Sequence, residues 1–389
     1  MFGSDQRRVN RCYSIADLRR AAKRRLPRPM FDYMDGAAED EVALRNNSAA
    51  FGKWQLIPRV LVDVTRIDLT TEVMGQNLEL PVVLAPTGMN CLFHHRGELA
   101  VVEAAAKAGT IYSLSSMASF DIETVGAASG GPKWFQIYVW KDRSLVKEFI
   151  QRCREAGYRG LCLTVDLPAL GRRERDLRNG MTIPPRLTPG SLLDIALHPY
   201  WWWHMLTSPP MTLANVVGKA GQGLNDVTTL GRYANEQLDP SVTWDDMAWM
   251  IEQWGGPFAI KGVACAADAV RAVDAGATGI IISNHGGRQL DQAPAPIEVL
   301  PEIVEAVGGR AEVILDGGVR RGSDVVKALA LGAKVCMIGR GYLYGLGAGG
   351  RAGVERALEL LRDDIRRTMM LVGCSSVRDL NRDHLRPLP

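Results

Sequence analysis

The residues best equipped for chemistry stand together in Ser283-Asn284-His285-Gly286-Gly287-Arg288-Gln289-Leu290-Asp291. A guanidinium follows an imidazole three residues on, and the two adjacent glycines between them let the backbone turn sharply and approach a ligand closely. A base and a carboxylate-binding cation on one tight loop suit removal of a proton from an anionic substrate. The apolar run Gly279-Ile280-Ile281-Ile282 leads straight into this loop and reads as a short buried strand.

Similar loops recur along the chain. Apolar, β-rich runs at 81–85, 110–114, 134–139, 161–165, 258–260, 279–282, 313–315 and 335–338 alternate with helical runs at 98–108, 144–156, 266–275, 296–307 and 323–331. Final helices are expected near 354–370 and 377–380. Eight strand-then-helix units predict a closed parallel (β/α)8 TIM barrel rather than an open doubly wound sheet. Small or polar residues follow or end every strand: Thr87-Gly88, Ser115, Gln136 and Tyr138, Thr164 and Asp166, Lys261, Ser283 and His285, Asp316, and Arg340. Barrel enzymes assemble their sites from such C-terminal strand ends.

Asp316-Gly317-Gly318-Val319-Arg320-Arg321-Gly322 and Gly339-Arg340-Gly341 follow the seventh and eighth strands. Bare backbone N–H groups beside a cation suit a phosphate there, although plain turn glycines with surface arginines would leave the same pattern. Gly345, Gly347 and Gly350 match a dinucleotide fingerprint in spacing, but no strand follows to build the required βαβ unit. Lys261 admits two readings, a Schiff-base nucleophile or a positive charge beside an electron-rich cofactor ring. The neighbouring His285 and Arg288 favour the second.

Ahead of the barrel, Ser14 to Asp17 resembles a capping box that opens a basic helix ending by Leu26-Pro27. A second helical stretch covers 30–46, and Val60-Leu61-Val62 looks strand-like. We therefore read the 389 residues as one domain, with N-terminal helices in 1–79 and a barrel in 80–389 carrying an insertion at about 178–245. Within that insertion, 195–218 holds no Asp, Glu, Lys or Arg and contains Pro199-Tyr200-Trp201-Trp202-Trp203-His204. Prolines break it too often for a spanning helix. Its aromatic rings suit a membrane–water interface, or else a lid or oligomer contact.

A net charge of +3, from 46 basic and 43 acidic residues, gives no general attraction to nucleic acid. The seven cysteines are far apart with no C-x-x-C pair, which argues for free thiols in a reducing compartment and against a metal or disulfide framework. The polar N-terminus has no apolar core of the kind a secretory signal needs, so a cytoplasmic location is expected.

Ser283 to Asp291, Leu170-Gly171-Arg172-Arg173-Glu174, Phe135-Gln136-Ile137-Tyr138, Leu84-Ala85-Pro86-Thr87-Gly88 and Asp316 to Gly322 together resemble the FMN-dependent L-2-hydroxy-acid dehydrogenase/oxidase family. Arg173 to Leu177 and Leu197-His198-Pro199 are most similar to its bacterial membrane-associated L-lactate and (S)-mandelate dehydrogenases. The resemblance implies FMN, a small 2-hydroxy acid substrate, a homotetramer, and a location at the inner face of the cell membrane. It makes His285 the base and Asp166 its orienting carboxylate. Arg288 and Arg173 become the substrate-carboxylate clamp, with Tyr33 and Tyr138 hydrogen-bonding the substrate. Lys261, Ser115, Gln136, Thr164, Ser283, Thr87 and Gly88 are implied around the flavin ring. Asp316 is implied at the ribityl chain, and Gly318, Arg320, Gly339 and Arg340 at the phosphate. Gly88 stands where oxygen-using members tend to carry Ala, and Met117 where glycolate oxidase carries Trp. The first favours a quinone or another membrane carrier over oxygen as acceptor; the second suggests a pocket not tuned for glycolate. An oxygen-using oxidase and, more remotely, a Lys261 aldolase remain the alternatives.

Overall fold

The computed structural model describes residues 5–181, 186–217 and 236–388. Eight strands form a closed parallel barrel: β1 Val82–Leu84, β2 Tyr112–Ser115, β3 Lys133–Ile137, β4 Gly160–Thr164, β5 Phe258–Val263, β6 Gly279–Ile282, β7 Glu312–Asp316 and β8 Val335–Ile338. Each strand pairs with its sequence neighbours, and β8 closes onto β1 through Cys336–Val82, Met337–Val83 and Ile338–Leu84. This is a TIM barrel, as the alternation of strands and helices predicts.

Strand residues alternate between two apolar clusters, as the two-residue period of a strand requires. Val83, Cys162, Ala259, Ile281, Ile314 and Met337 fill the barrel, while Val82, Leu84, Leu161, Leu163, Ile280 and Ile282 pack outward against the helices. A hairpin, Thr71–Val73 and Gln76–Leu78, closes the N-terminal end of the barrel. Its Val73, Met74 and Leu78 join the inner cluster, and the Trp134 indole donates to Gln76 Oε1 at 3.2 Å. The opposite, C-terminal end is the one that carries polar side chains.

Ser14 caps the helix Ile15–Arg25 by accepting from Asp17 N–H at 3.1 Å, while Asp17 reaches back to Tyr13 N–H at 3.0 Å. The stretch expected as one helix over 30–46 is two, Arg28–Asp35 and Val42–Ala49. The first ends at Gly36, which is extended, and Glu39 and Glu41 then take positive φ angles of 46° and 59°. Val60 to Val62 forms no strand, because no described segment pairs with it and its side chains stand exposed. The nearest paired segment is Trp54–Leu56, which joins Leu385–Pro387 near the C-terminus. Between β4 and β5 lie the helices Glu174–Asn179, Pro189–Ala196, Pro199–Thr207 and Trp244–Trp254.

The helix after β8 runs Arg340–Val372 with a break at Gly349 and Gly350. Gly345, Gly347 and Gly350 lie inside it as packing residues. A Cβ on Gly347 would stand 2.8 Å from Leu26, one on Gly350 would stand 2.6 Å from His94, and one on Gly345 would stand 2.2 Å from the Gly353 carbonyl oxygen. The glycine spacing therefore reflects close approach of elements, and a fingerprint loop is excluded. Gly353→Ala places its Cβ 1.8 Å from Gly345 O. It is expected to cost about 1–3 kcal/mol or more through overpacking, read as a lowered thermal midpoint.

Candidate active site

The loop after β6 is built around a strained histidine. His285 has φ 57°, which an L-residue with a bulky side chain adopts only under constraint. Gly286 and Gly287 continue the turn at φ 65° and 76°. Asn284 holds it closed: Oδ1 accepts from Gly287 N–H at 3.2 Å, and the amide makes two 2.7 Å bonds with the amide of Asn47. Ser283 Oγ accepts from the His285 N–H at 3.0 Å. The segment 38–47 lies directly on these loops. Gly287 O accepts from Ala38 N–H at 2.9 Å, and a Cβ on Gly318 would fall 1.9 Å from Asn47 O.

His285 Nδ1 lies 2.8 Å from Asp166 Oδ1. Asp166 stands two residues beyond the end of β4, so the pair spans two strands. Burial pushes the Asp166 carboxyl up, but the His285 ring and Lys261 more than offset this and hold it below the ordinary carboxylate range. An ionised carboxylate on Nδ1 fixes the tautomer and leaves Nε2 to accept a proton.

Arg288 Nη1 donates to Tyr33 O at 2.6 Å and Gly36 O at 3.1 Å, and its guanidinium lies 5.0 Å from the Tyr33 ring centroid. Arg173 reaches Gln289 Oε1 at 3.5 Å, while its buried Nε has no partner. Among the described residues neither guanidinium has a carboxylate within 4.0 Å. Burial, and next the charge of Arg173, press Arg288 down to about 9. The nearby buried Asp176 forms no ion pair with either, and burial raises its pKa. Two cations that repel each other at the mouth of a barrel are stabilised by an anion. Tyr138 stands just beyond β3, and burial and then Asp166 raise its phenol above the ordinary range.

A second chain of contacts crosses β5, β6 and β7. Lys261 Nζ lies 2.7 Å from Asp316 Oδ2 and donates to Ser283 Oγ at 2.9 Å, and Ser283 Oγ donates to Asp316 Oδ2 at 2.8 Å. Burial opposes the charge on Lys261, yet Asp316 and Asp166 raise its pKa overall. A Schiff-base nucleophile needs the reverse shift, so this environment opposes the aldolase reading. Beside it, Ser115 Oγ donates to Gln136 Oε1 at 3.0 Å. Gln136 Nε2 and Thr164 Oγ1 are buried without a partner among the described residues. Buried polar groups are nearly always satisfied, so these orphans mark where a polar ligand edge belongs.

At the β7 and β8 loops, Gly317 and Gly318 take φ 127° and 81°. Arg320 lies 5.9 Å from the Tyr344 ring. Arg340 serves first as a clamp: it donates to Met34 O at 3.1 Å, Gly286 O at 2.8 Å and Gly36 O at 2.7 Å. A guanidinium has five N–H groups, so two remain for an anion. Thr87 Oγ1 bonds Asn90 Oδ1 at 2.7 Å and lies 2.6 Å from the Tyr342 hydroxyl. A Cβ on Gly88 would stand 3.0 Å from Met117 Cβ and O.

The sequence profile of the FMN-dependent dehydrogenase family matches residues 22–387. The chain belongs to this family. It is 43 % identical to an L-lactate oxidase of Nostoc over 96 % of this chain and 97 % of the relative. A glycolate oxidase of Spinacia oleracea is 43 % identical over 94 % and 93 %. Among solved structures, a monotopic membrane protein (S)-mandelate dehydrogenase superposes with a TM-score of 0.94 at 38 % identity, covering 97 % of this chain and 100 % of that one. The protein is thus an FMN-dependent oxidoreductase acting on the CH–OH group of a 2-hydroxy acid.

The site fits that cofactor. The orphaned Gln136 and Thr164 donors suit the polar edge of a flavin ring, and the glycine turns with Arg320 suit its phosphate. Sequence patterns did not expose the roles of Asn47 or Asp35, whose partners lie far away in the chain. Asn284, Gln289 and Arg175 lie within conspicuous runs, but nothing in their spacing indicates that they hold Asn47, Arg173 and Asp35. Gly318→Ala is expected to displace Asn47 and weaken FMN retention. Gel filtration of this variant should separate a colourless protein peak from free yellow FMN; a fully yellow protein peak would contradict the packing described.

Proposed function

We propose that the enzyme oxidises L-lactate or (S)-mandelate to the 2-oxo acid and passes the electrons to a quinone or another membrane carrier. The observation that carries this reading is the Asp166–His285 pair beside two guanidinium groups that have no carboxylate partner among the described residues. Arg288 and Arg173 would hold the substrate carboxylate bidentately. Tyr33 and Tyr138 would hydrogen-bond its carboxylate and hydroxyl. His285 Nε2 would take the proton from the α-hydroxyl or the α-carbon; both routes need this base, and Asp166 would stabilise the imidazolium. FMN, when bound, supplies the two-electron acceptor. Ser115, Gln136, Thr164, Ser283 and the Thr87–Gly88 backbone would orient its ring, and Lys261 would favour negative charge on it. Asp316 would meet the ribityl chain, with Gly318, Arg320, Gly339 and Arg340 at the phosphate.

Gly88 and the mandelate dehydrogenase likeness support a dehydrogenase, while the lactate and glycolate oxidase likenesses keep oxygen as the competing acceptor. Met117, packed against Gly88, supports a substrate other than glycolate. The insertion supports attachment to the inner face of the cell membrane. No described helix is long and apolar enough to cross a bilayer. Leu192, Leu193, Leu197, Trp203 and Leu206 are nonetheless all more than half exposed along Pro189–Ala196 and Pro199–Thr207. Such a ridge suits insertion into the headgroup layer.

L-Lactate or (S)-mandelate added without oxygen should bleach the visible flavin band, and a quinone analogue should restore it faster than oxygen does. Faster return with oxygen would assign an oxidase instead. His285→Gln should keep the yellow colour and slow reduction by roughly 10²–10⁴-fold or more, as loss of a general base does. Near-normal reduction would remove His285 from its role.

A further inference from the structure

The helix Arg28–Asp35 brings Tyr33 to the site, yet it lies outside the barrel and no strand holds it. The loop after β4 brings Arg173 from the other side and continues at once into the helix Glu174–Asn179. What fixes these two pieces against each other sets the shape of the carboxylate clamp.

A charged cluster joins them. Arg175, two residues beyond Arg173, lies with Nη1 3.1 Å from Asp35 Oδ2 and 3.8 Å from Asp32 Oδ1, and its Nη2 pairs with Glu41. Asp35 is 3 % exposed and also accepts from Arg19 at 2.6 and 2.7 Å and from the Tyr344 hydroxyl at 2.8 Å. Burial works against its charge, but Arg19 and Tyr344 hold its pKa below the ordinary range. Asn179, at the other end of the same short helix, donates to Asp32 Oδ2 at 2.7 Å. Gly36 follows Asp35, and a Cβ there would stand 3.3 Å from Arg175 Cδ, so the guanidinium stem lies against bare backbone. The Gly36 carbonyl accepts from both Arg288 and Arg340.

We propose that Arg175 and Asp35 are positioning residues for the substrate carboxylate. They lock the Tyr33 helix to the Arg173 loop and hold the Gly36 carbonyl that orients Arg288. A planar fork can engage several carboxylates at fixed angles, which a lysine cannot. The cluster touches neither His285 nor Asp166, which stand on β6 and β4 ends. Loosening it therefore weakens capture of the anion and leaves proton removal intact. This rests on the hydroxy-acid reading above.

The test uses the FMN-loaded protein and its Arg175→Met, Arg175→Lys and Glu41→Gln variants. Calorimetry gives the dissociation constant of oxalate, a small carboxylate that has no α-proton to lose. Anaerobic reduction by L-lactate and (S)-mandelate gives KM and the saturating rate. Arg175→Met is expected to raise the oxalate constant and KM about tenfold or more, with the saturating rate within about threefold of wild type. Arg175→Lys and Glu41→Gln should give smaller rises in the same direction, and they keep the question open to measurement if Arg175→Met does not fold. Yellow, folded variants whose oxalate constant and KM stay within about twofold would overturn the proposal. So would a saturating rate that falls while oxalate binding is unchanged. A wild-type protein that binds oxalate but is reduced by neither hydroxy acid would refute the functional reading alone.

Discussion

Two guanidinium groups with no carboxylate partner among the described residues are the constraint around which this end of the barrel is arranged. Arg288 and Arg173 approach from β6 and from the loop after β4, and each spends donors on uncharged oxygens of Tyr33, Gly36 and Gln289. Other charges in the same region are paired: Lys261 with Asp316, Arg175 with Asp35, His285 with Asp166. Like charges held together in a partly desolvated site raise the energy of the free enzyme, and an anionic substrate relieves it. On the proposed reading, the same repulsion would account for specificity for a carboxylate.

The N-terminal segment makes that arrangement possible. Its carbonyls at Tyr33, Met34 and Gly36 face Arg288 and Arg340, at the C-terminal, partially negative end of the helix Arg28–Asp35. Its Asn47 holds Asn284 and thereby the left-handed turn at His285. The barrel supplies a rigid ring of strand ends, and the segment before it sets the loops on top.

The barrel was legible because strand period, helix period and polar strand ends agree along the chain. Boundaries fell within a residue or two for most strands, and Pro296–Val307 matches its expected helix. Candidate residues that follow strands come together: His285 meets Asp166, the pairing the family resemblance implies, whereas the contacts of Lys261 with Ser283 and Asp316 emerge only from the barrel's register. Legibility failed before the barrel. Helix 30–46 breaks because Glu39 and Glu41 adopt left-handed backbone to carry the chain over the β6 loop, and nothing in the local sequence demands it. Val60 to Val62 has strand propensity but lacks a partner strand, and pairing decides β-structure more than propensity does. For Arg340 the sequence suggests a phosphate ligand, and its additional hydrogen bonds to three distant carbonyls emerge only from the tertiary fold.

On the proposed reading, the substrate's own charge completes the site. Anaerobic flavin reduction by an L-2-hydroxy acid, set against reduction by its neutral amide, measures that contribution. The amide has the same α-carbon and hydroxyl. Loss of charge-assisted bonds worth about 3 kcal/mol predicts that the amide is poorer by roughly a hundredfold in the ratio of saturating rate to KM. Equal efficiency with the amide would show that the two arginines do not recognise a carboxylate.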